Sequence, residues 1–365
     1  MSFSLTFLFS SSSTALFPPR PSISVFASAT NTSRFKMSSD SLPPLPENRI
    51  VVGCGGVGLD FLAAVASYPK PDDKIRSTSL KVQGGGKAGN ALTCAARLGL
   101  NPRIISKVAD DPQGKGILEE FEADGVDTSF LVVSKEGNSP FTYVIVDNQT
   151  KTRTCIHTPG YPPMLPDDFP QSTMSSELDR AGIAYFDGRL PETAIFIAQE
   201  VWTEAPSVPS ALVSMLLRLP NLKFVIVTLG ENGCIMLQRS KNEGADLEEV
   251  DVESLLESLN QRKDESVAFP TCVSSLETKL RADGIGTVSG RLFIGTAEKI
   301  PPSELSDTTG AGDAFIGAIL YAICANMPPE KMLPFAAQVA ALGCRALGAR
   351  TGLPHRSHPR LESFF

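Results

Sequence analysis

The stretch SDTTGAGDAF (Ser306–Phe315) places a glycine-rich turn directly before an apolar helix, with a carboxylate where the two meet. Gly310 and Gly312 let backbone N–H groups turn toward a ligand, and the first helical turn adds unpaired donors and a positive dipole end. Asp313 lies in that turn, where it could accept a proton from a hydroxyl attacking phosphorus. The pattern predicts a phosphoryl-transfer site, although an Asp that only caps the helix remains an alternative on these residues alone.

The longer string DTTGAGDAF resembles the C-terminal signature of the PfkB, or ribokinase-like, family of sugar and nucleoside kinases. The resemblance implies an ATP-dependent kinase that phosphorylates a hydroxyl of a small sugar or nucleoside, with Mg²⁺ bridging the phosphates. Asp313 would be the catalytic base. The backbone of Gly310, Ala311 and Gly312 would hold the transferring γ-phosphate.

A second string, VQGGGKAGNAL (Val82–Leu92), resembles the N-terminal signature of the same family. By that resemblance Gly85, Gly86 and Asn90 hold the sugar hydroxyls, since glycines admit a polyol to the backbone and an amide both donates and accepts. Asp60 in VGLDFL matches the family's acidic residue that accepts hydrogen bonds from two substrate hydroxyls. TKTRTCI and YFDGR resemble the ketohexokinase branch, which makes a ketose the first substrate to test. The further pocket candidates are Arg103, Arg153 and Asp187.

The nucleotide side is suggested by TLGENG (Thr228–Gly233), which resembles the family's nucleotide loop and follows an apolar strand. A plain strand-to-hairpin turn is the alternative. The resemblance also implies a monovalent cation, K⁺, beside the phosphate turn. The nucleotide candidates are Thr228, Gly230, Gly233 and Thr309, and the K⁺ candidates are Asp307, Thr309 and Gly348.

The composition is that of an ordinary globular protein and is compatible with a small-molecule enzyme. The chain has 365 residues, 42% hydrophobic and 20% charged, enough for one large α/β domain. A net charge of −7 argues against a nucleic-acid or acidic-membrane partner. The longest apolar run, Ala314–Ala325, is too short to span a bilayer. The seven cysteines and three histidines show no metal-ligand spacing, so a histidine-based metal site is not expected. The family resemblance implies a small sugar or nucleoside as the binding partner, and a homodimer is left open.

From residue 46 the pattern alternates β-rich runs with amphipathic helices, which predicts a doubly wound, mainly parallel α/β sheet. Phe141–Val146 and Thr152–Thr158 flank a turn and predict a β-hairpin. With a segment near 75–86, the region near 130–158 is expected to form a small β-sheet lid. Residues 240–280 are expected to be an acidic, solvated insertion, with one helix near Val252–Leu259.

The N-terminus differs in composition from the rest. Residues 1–36 contain ten serines, three basic residues and no acid. This predicts a plastid transit peptide, with a linker to residue 45 and both disordered, and Met37 offers an alternative cytosolic start.

The sequence leaves open two alternatives to an active kinase. GCGGVG (Gly53–Gly58) satisfies G-x-G-x-x-G and could mark a dinucleotide site, but the acids at the required spacing, Asp72 and Asp73, do not follow a strand. Between 187 and 224 only helices Pro191–Val201 and Ser210–Leu219 are predicted, so about 30 residues of a β-α-β unit and its acidic motif are missing relative to the family. A splice product, or a catalytically impaired binding or scaffold protein, is therefore the second hypothesis.

Overall fold

The structure is a computed structural model that describes residues 7–9, 42, 44–165, 168, 183–187, 205, 207–218, 220, 222–240, 247–264 and 266–365. Within these ranges, none of the helices has the length and apolar character needed to cross a bilayer. The strands are β1 (Phe7–Phe9), β2 (Ile50–Cys54), β3 (Gly58–Val65), β4 (Ser79–Gly85), β5 (Asn101–Ala109), β6 (Leu131–Ser134), β7 (Phe141–Asp147), β8 (Arg153–Thr158), β9 (Ile183–Phe186), β10 (Phe224–Thr228), β11 (Cys234–Arg239), β12 (Glu249–Asp251), β13 (Cys272–Ser274), β14 (Thr278–Ala282) and β15 (Gly286–Gly295). The α-helices are α1 (Lys87–Arg97), α2 (Pro112–Ala123), α3 (Val208–Arg218), α4 (Val252–Gln261), α5 (Ala311–Cys324) and α6 (Pro329–Gly343).

The first sheet contains the predicted parallel strands, in the order β1-β9-β2-β5-β6. β2 pairs in parallel with both β5 and β9, and β5 pairs in parallel with β6. Because these strands run the same way, their C-terminal ends meet at one edge, where open α/β sheets bind ligands. β1 pairs antiparallel with β9, so residues 7–9 of the predicted disordered leader form a strand.

The segments expected to form the lid contribute to a separate four-stranded sheet, called the lid sheet below, in the order β4-β3-β7-β8. The predicted hairpin is present as β7 and β8, which pair from Phe141 with Thr158 to Val146 with Arg153. β3 was not predicted, and it is the strand that joins β4 to β7. β6 pairs with β5, so it belongs to the first sheet although it falls in the region 130–158.

A third, largely antiparallel sheet has the order β10-β11-β15-β14-β12, with β13 also paired to β15. The expected solvated insertion at 240–280 therefore contributes β12, β13 and the start of β14, besides α4 close to its predicted place. β9 and β10 lie in different sheets in the described part of the chain. The predicted helix at 191–201 lies outside the described residues, whereas the helix predicted at 210–219 is present as α3.

Helices α1, α5 and α6 form the layer that carries the site. α5 is apolar on almost every face because it is covered by α1 and α6, and its residues from Ala314 to Ala322 are buried. The helices approach closely at Gly317, where a Cβ would lie 2.5 Å from the carbonyl oxygen of Ala91. This packing brings the N-termini of α1 and α5, which carry the two sequence signatures, to the same place.

Candidate active site

The turn before α5 has the geometry that its sequence predicts. Gly310 is the N-cap residue with φ of 76°, a left-handed conformation that favours glycine. Its missing Cβ also leaves room for Ala349, whose Cβ would be 2.5 Å away. Ala314 N donates to Gly310 O at 2.8 Å, so the N–H groups just before it are those that a helix leaves available. Ala311 N is directed at Thr308 O at 3.3 Å, which makes Gly312 N–H the freer donor for an anion.

Asp313 is partly exposed in the first turn of α5, and Asn90 Nδ2 donates to its Oδ2 at 2.9 Å. Burial raises its pKa to about 7, while the Asn90 hydrogen bond and the charge of Lys87 lower it and Asp187 and Asp60 raise it. A carboxylate with a pKa near neutrality is suited to take a proton and release it again. The position and raised pKa of Asp313 are thus compatible with the predicted role of a general base.

Asp60, on β3 of the lid sheet, lies against Gly85 of β4. A Cβ on Gly85 would be 2.4 Å from the Asp60 carboxylate oxygens, so only glycine fits there. Asp60 is 6% exposed, and burial raises its pKa to about 6, whereas Arg350 and a hydrogen bond with Thr142 lower it. The charge of Asp60 also raises the pKa of Asp313, so the two carboxyl groups interact electrostatically.

The glycines at the start of α1 hold the neighbouring loop. Gly86 caps α1 with φ of 85°, and a Cβ there would be 2.5 Å from Gly56 O. Gly56 N donates in turn to Asp187 Oδ2 at 2.5 Å. Asp187 therefore anchors the loop after β2 at the C-terminal edge of the first sheet, beside Asp313.

Arg153, on β8 of the lid sheet, contacts the turn that precedes α5: its Nη1 donates to Thr308 Oγ1 at 2.8 Å. Lys81 of β4 similarly donates to Thr351 Oγ1 in the loop after α6. Both lid edges thus contact loops of the main body, so the lid sheet lies over the site. Arg103 does not reach it, because its guanidinium pairs with Asp127 at 3.8 Å and lies over Phe130.

Asp307 joins two loops beside the site. Its Oδ1 accepts from Thr309 N and Oγ1, at 2.9 and 2.7 Å, and its Oδ2 accepts from Gly348 N at 2.9 Å. The carboxylate is 1% exposed, so these hydrogen bonds compensate its burial. In the described part of the chain, no cluster of three or more His, Cys, Asp or Glu side chains could hold a metal.

The predicted nucleotide loop follows β10 in the third sheet. Gly230 and Gly233 have φ of 62° and 87°, and Leu229 N donates to Gly233 O at 2.7 Å. A Cβ on Gly233 would be 2.0 Å from Gly295 O, so a close strand approach already explains this glycine. The local geometry therefore suits both a hairpin turn and a nucleotide loop.

Several residues at the site were not predicted as functional. Lys87 lies within the second signature without a predicted role, yet its charge lowers the pKa of Asp313. Thr142, Glu120 and Arg350 carry no local motif, and Arg350 contacts Asn90 across 260 positions of sequence. No sequence pattern links residues so far apart.

The pH dependence of turnover follows from Asp313. A base must be deprotonated to act, so we expect kcat/KM for the sugar, which reports the free enzyme, to fall tenfold per pH unit below the Asp313 pKa of about 7. Steady-state kinetics across pH would show this acid limb. An acid limb near pH 4, the ordinary value for Asp, would contradict the assignment.

The chain matches the pfkB family carbohydrate kinase over residues 54–205 and 284–356, more than half of its length. It is 26% identical to mouse ketohexokinase over 306 residues, covering 83% of this chain and 98% of that protein. It is 27% identical to a ribokinase of Arabidopsis thaliana over 327 residues, covering 86% and 79%.

Among solved structures, a ribokinase of Thermotoga maritima superposes with a TM-score of 0.59 at 20% identity, covering 86% of this chain and 98% of that one. This likeness supports the mixed α/β fold with its parallel sheet and additional sheets. The family match includes β3, α1 and α5, with the two signatures, and leaves out residues 206–283, with the Thr228–Gly233 loop. The chain therefore belongs to the pfkB family of carbohydrate kinases, as a sugar kinase with a ribokinase-like α/β fold.

Proposed function

We propose that this protein transfers the γ-phosphoryl group of ATP to a hydroxyl of a small sugar, with a ketose such as fructose as the first candidate and ribose as the second. The observation that carries the proposal is the position of Asp313, a carboxylate with a pKa of about 7 in the first turn of α5, facing Asp60 and Asn90. The ketose is favoured by the resemblance of TKTRTCI and YFDGR to the ketohexokinase branch and by the similarity to mouse ketohexokinase.

In this mechanism Asp60 and Asn90 bind and orient the sugar. The oxygen of Asn90 already accepts from Arg350, so its amide offers only N–H groups to Asp313 and the substrate. Asp313 accepts the proton of the attacking hydroxyl as the new oxygen–phosphorus bond forms, while the bond from the γ-phosphorus to the bridging oxygen breaks and ADP leaves. The Gly312 N–H and the positive end of α5 stabilise the negative charge of the migrating group, while the lid excludes water that would otherwise hydrolyse the donor.

The proposal includes Mg²⁺ and, more weakly, K⁺. The described residues offer no carboxylate cluster, so the ATP phosphates and waters would supply most Mg²⁺ ligands, as this ion prefers. When bound, Mg²⁺ would neutralise part of the negative charge of the phosphates. For K⁺, Asp307 is a carboxylate already satisfied by three hydrogen bonds, and dependence of kcat on KCl against NaCl tests the assignment.

Two further elements concern the whole protein. We propose a homodimer because the outer face of the lid exposes Val82, Tyr143 and Ile156, at 48%, 50% and 54%, beyond what an isolated sheet face ordinarily leaves bare. Light scattering tests the homodimer, and a monomer would refute it.

We also propose plastid import through residues 1–36, which imaging of a fluorescent fusion would check. A cytosolic signal would favour a start at Met37.

The activity is tested by ADP release from Mg-ATP with the full-length protein and separate ketoses, aldoses and nucleosides. Sugar-dependent release, greatest with a ketose, is the expected result. Release only with a nucleoside would replace the sugar as substrate. A folded protein that releases ADP with none of them would favour the binding or scaffold function, for which the separation of β9 and β10 into different sheets is the specific observation.

A further inference from the structure

We propose that Arg350 is a positioning residue for the catalytic base: it holds the Asn90 amide in the one orientation that lets this amide donate to Asp313. Arg350 itself touches neither reactant in the mechanism above. The inference rests on the proposed function, because it is in that reaction that Asp313 acts as the base.

The contacts form a continuous chain from Arg350 to Asp313. Arg350 Nε donates to Asn90 Oδ1 at 3.0 Å, and Asn90 Nδ2 donates to Asp313 Oδ2 at 2.9 Å. Arg350 is 3% exposed and Asn90 4% exposed, so water does not compete for the hydrogen bond between them, whereas Asp313 at the far end is partly exposed. The base is therefore held by a buried relay that ends on a guanidinium.

Arg350 is itself fixed on its other sides. Its Nη2 donates to Gly85 O at 3.1 Å, its Nη1 pairs with Glu120 Oε2 at 3.2 Å, and its guanidinium lies over the Phe121 ring at 4.9 Å. A planar fork with donors on three edges satisfies all of these partners at once, whereas a lysine ammonium could not reproduce the arrangement. Gly85 belongs to β4, so the same side chain ties the base to the lid strand.

The chemistry makes the amide orientation unambiguous. Arginine has donors only, so the Asn90 atom facing it must be the oxygen, which turns the NH₂ group toward Asp313. Without the guanidinium, the amide loses its constraint and can rotate its oxygen toward the carboxylate. That rotation would remove the hydrogen bond that favours the charged form of Asp313 and would raise its pKa.

Other charges surround both ends of the relay and remain in place when Arg350 is replaced. Those acting on Asp313 are Lys87 of α1, Asp60 of β3 and Asp187 after β9. Those acting on Arg350 are Glu120 of α2, Asp124 after α2, Asp60 of β3 and Arg97 of α1.

The test compares Arg350→Met, which keeps an apolar stem over Phe121, with Asn90→Ala and with the double variant. We expect Arg350→Met to lower kcat by about 10²-fold, the cost of a misplaced catalytic group, and to move the acid limb of kcat/KM upward by about one pH unit. In the Asn90→Ala background, Arg350→Met should change kcat no further, because the relay is already broken. Arg350→Lys should recover part of the loss by keeping one donor.

Arg345→Met is the matched control, since this arginine also follows α6 and forms ion pairs away from Asn90, one with the buried carboxylate of Glu298 and one with the more exposed Glu304. It should lower stability and leave the acid limb in place. ¹³C-carboxyl NMR of aspartate-labelled protein gives the Asp313 titration without any substrate, with the resonance assigned by Asp313→Asn.

An inactive wild type refutes the proposed function, while the NMR titration still decides the inference. Independent, multiplying losses in the double variant, or an unmoved Asp313 titration in Arg350→Met, would overturn it. Should Arg350→Met fail to fold, the Arg350→Lys titration decides: an upward shift supports the relay and no shift refutes it.

Discussion

Replacing Asp313 with Asn is expected to lower kcat by about 10²- to 10⁴-fold, the contribution of a general base, while ADP binding stays measurable by calorimetry. Asparagine has nearly the same shape, and its oxygen can still accept the hydrogen bond from Asn90. What is lost is the basic site that receives the proton of the sugar hydroxyl. Because burial disfavours the charged form of Asp313, the neutral variant should melt at the same temperature as the wild type or higher.

Asp111→Asn provides the matched control for this loss. Asp111 caps α2, where it accepts from Gly114 N and from Ser139, and it lies outside the proposed site. Asparagine keeps the cap but puts an NH₂ group in place of the oxygen that accepts from Ser139 N, so this variant should lose about 1 kcal/mol of unfolding free energy, with kcat per folded molecule unchanged. A kcat for Asp313→Asn within tenfold of the wild type would refute the base assignment.

Gly310→Ala and Gly312→Ala are both expected to reduce kcat, but only Gly310→Ala is expected to lower the stability of the protein. At Gly310 the left-handed backbone costs about 1–2 kcal/mol for any other residue, and the new Cβ would meet Ala349 at 2.5 Å. Stability should therefore fall by that amount or more. Displacement of the phosphate turn by about 1 Å should also reduce kcat by about 10²-fold.

At Gly312 an added Cβ meets nothing within 4 Å, so stability should be unchanged or rise by up to about 1 kcal/mol through helix propensity. That open space is where the phosphoryl group is proposed to sit, so kcat should nevertheless fall. Urea unfolding together with steady-state kinetics checks both variants. Full activity in Gly312→Ala, or wild-type stability in Gly310→Ala, would contradict the proposed anion site.

Local sequence was sufficient for much of the fold. The hairpin of β7 and β8 follows from two apolar runs around a turn, and α5 follows from a glycine turn before an apolar run. β3 was missed because Phe61–Ala66 is almost continuously apolar. Only the structure shows that Asp60 and Leu62 face inward, whereas Phe61 lies on the other face in contact with Phe141 and Tyr143.

The candidate site was also predicted only in part, because local sequence motifs identify some of its residues and tertiary contacts identify the others. Asp313, Asn90 and Gly85 lie within signatures, and the structure places Asp313 beside Asn90. Arg350 and Glu120 act through contacts formed only after α1, α2 and the loop following α6 come together. The pKa of Asp313 likewise depends on burial by that packing, which no local pattern specifies.

A crystal structure of the protein with a ketose and a non-hydrolysable ATP analogue would test the phosphoryl-transfer site most directly. The account predicts the reacting hydroxyl within about 2.6–3.2 Å of an Asp313 oxygen, with the γ-phosphate over the Gly312 N–H. A hydroxyl held out of reach of Asp313, or a triphosphate bound away from the first turn of α5, would contradict it.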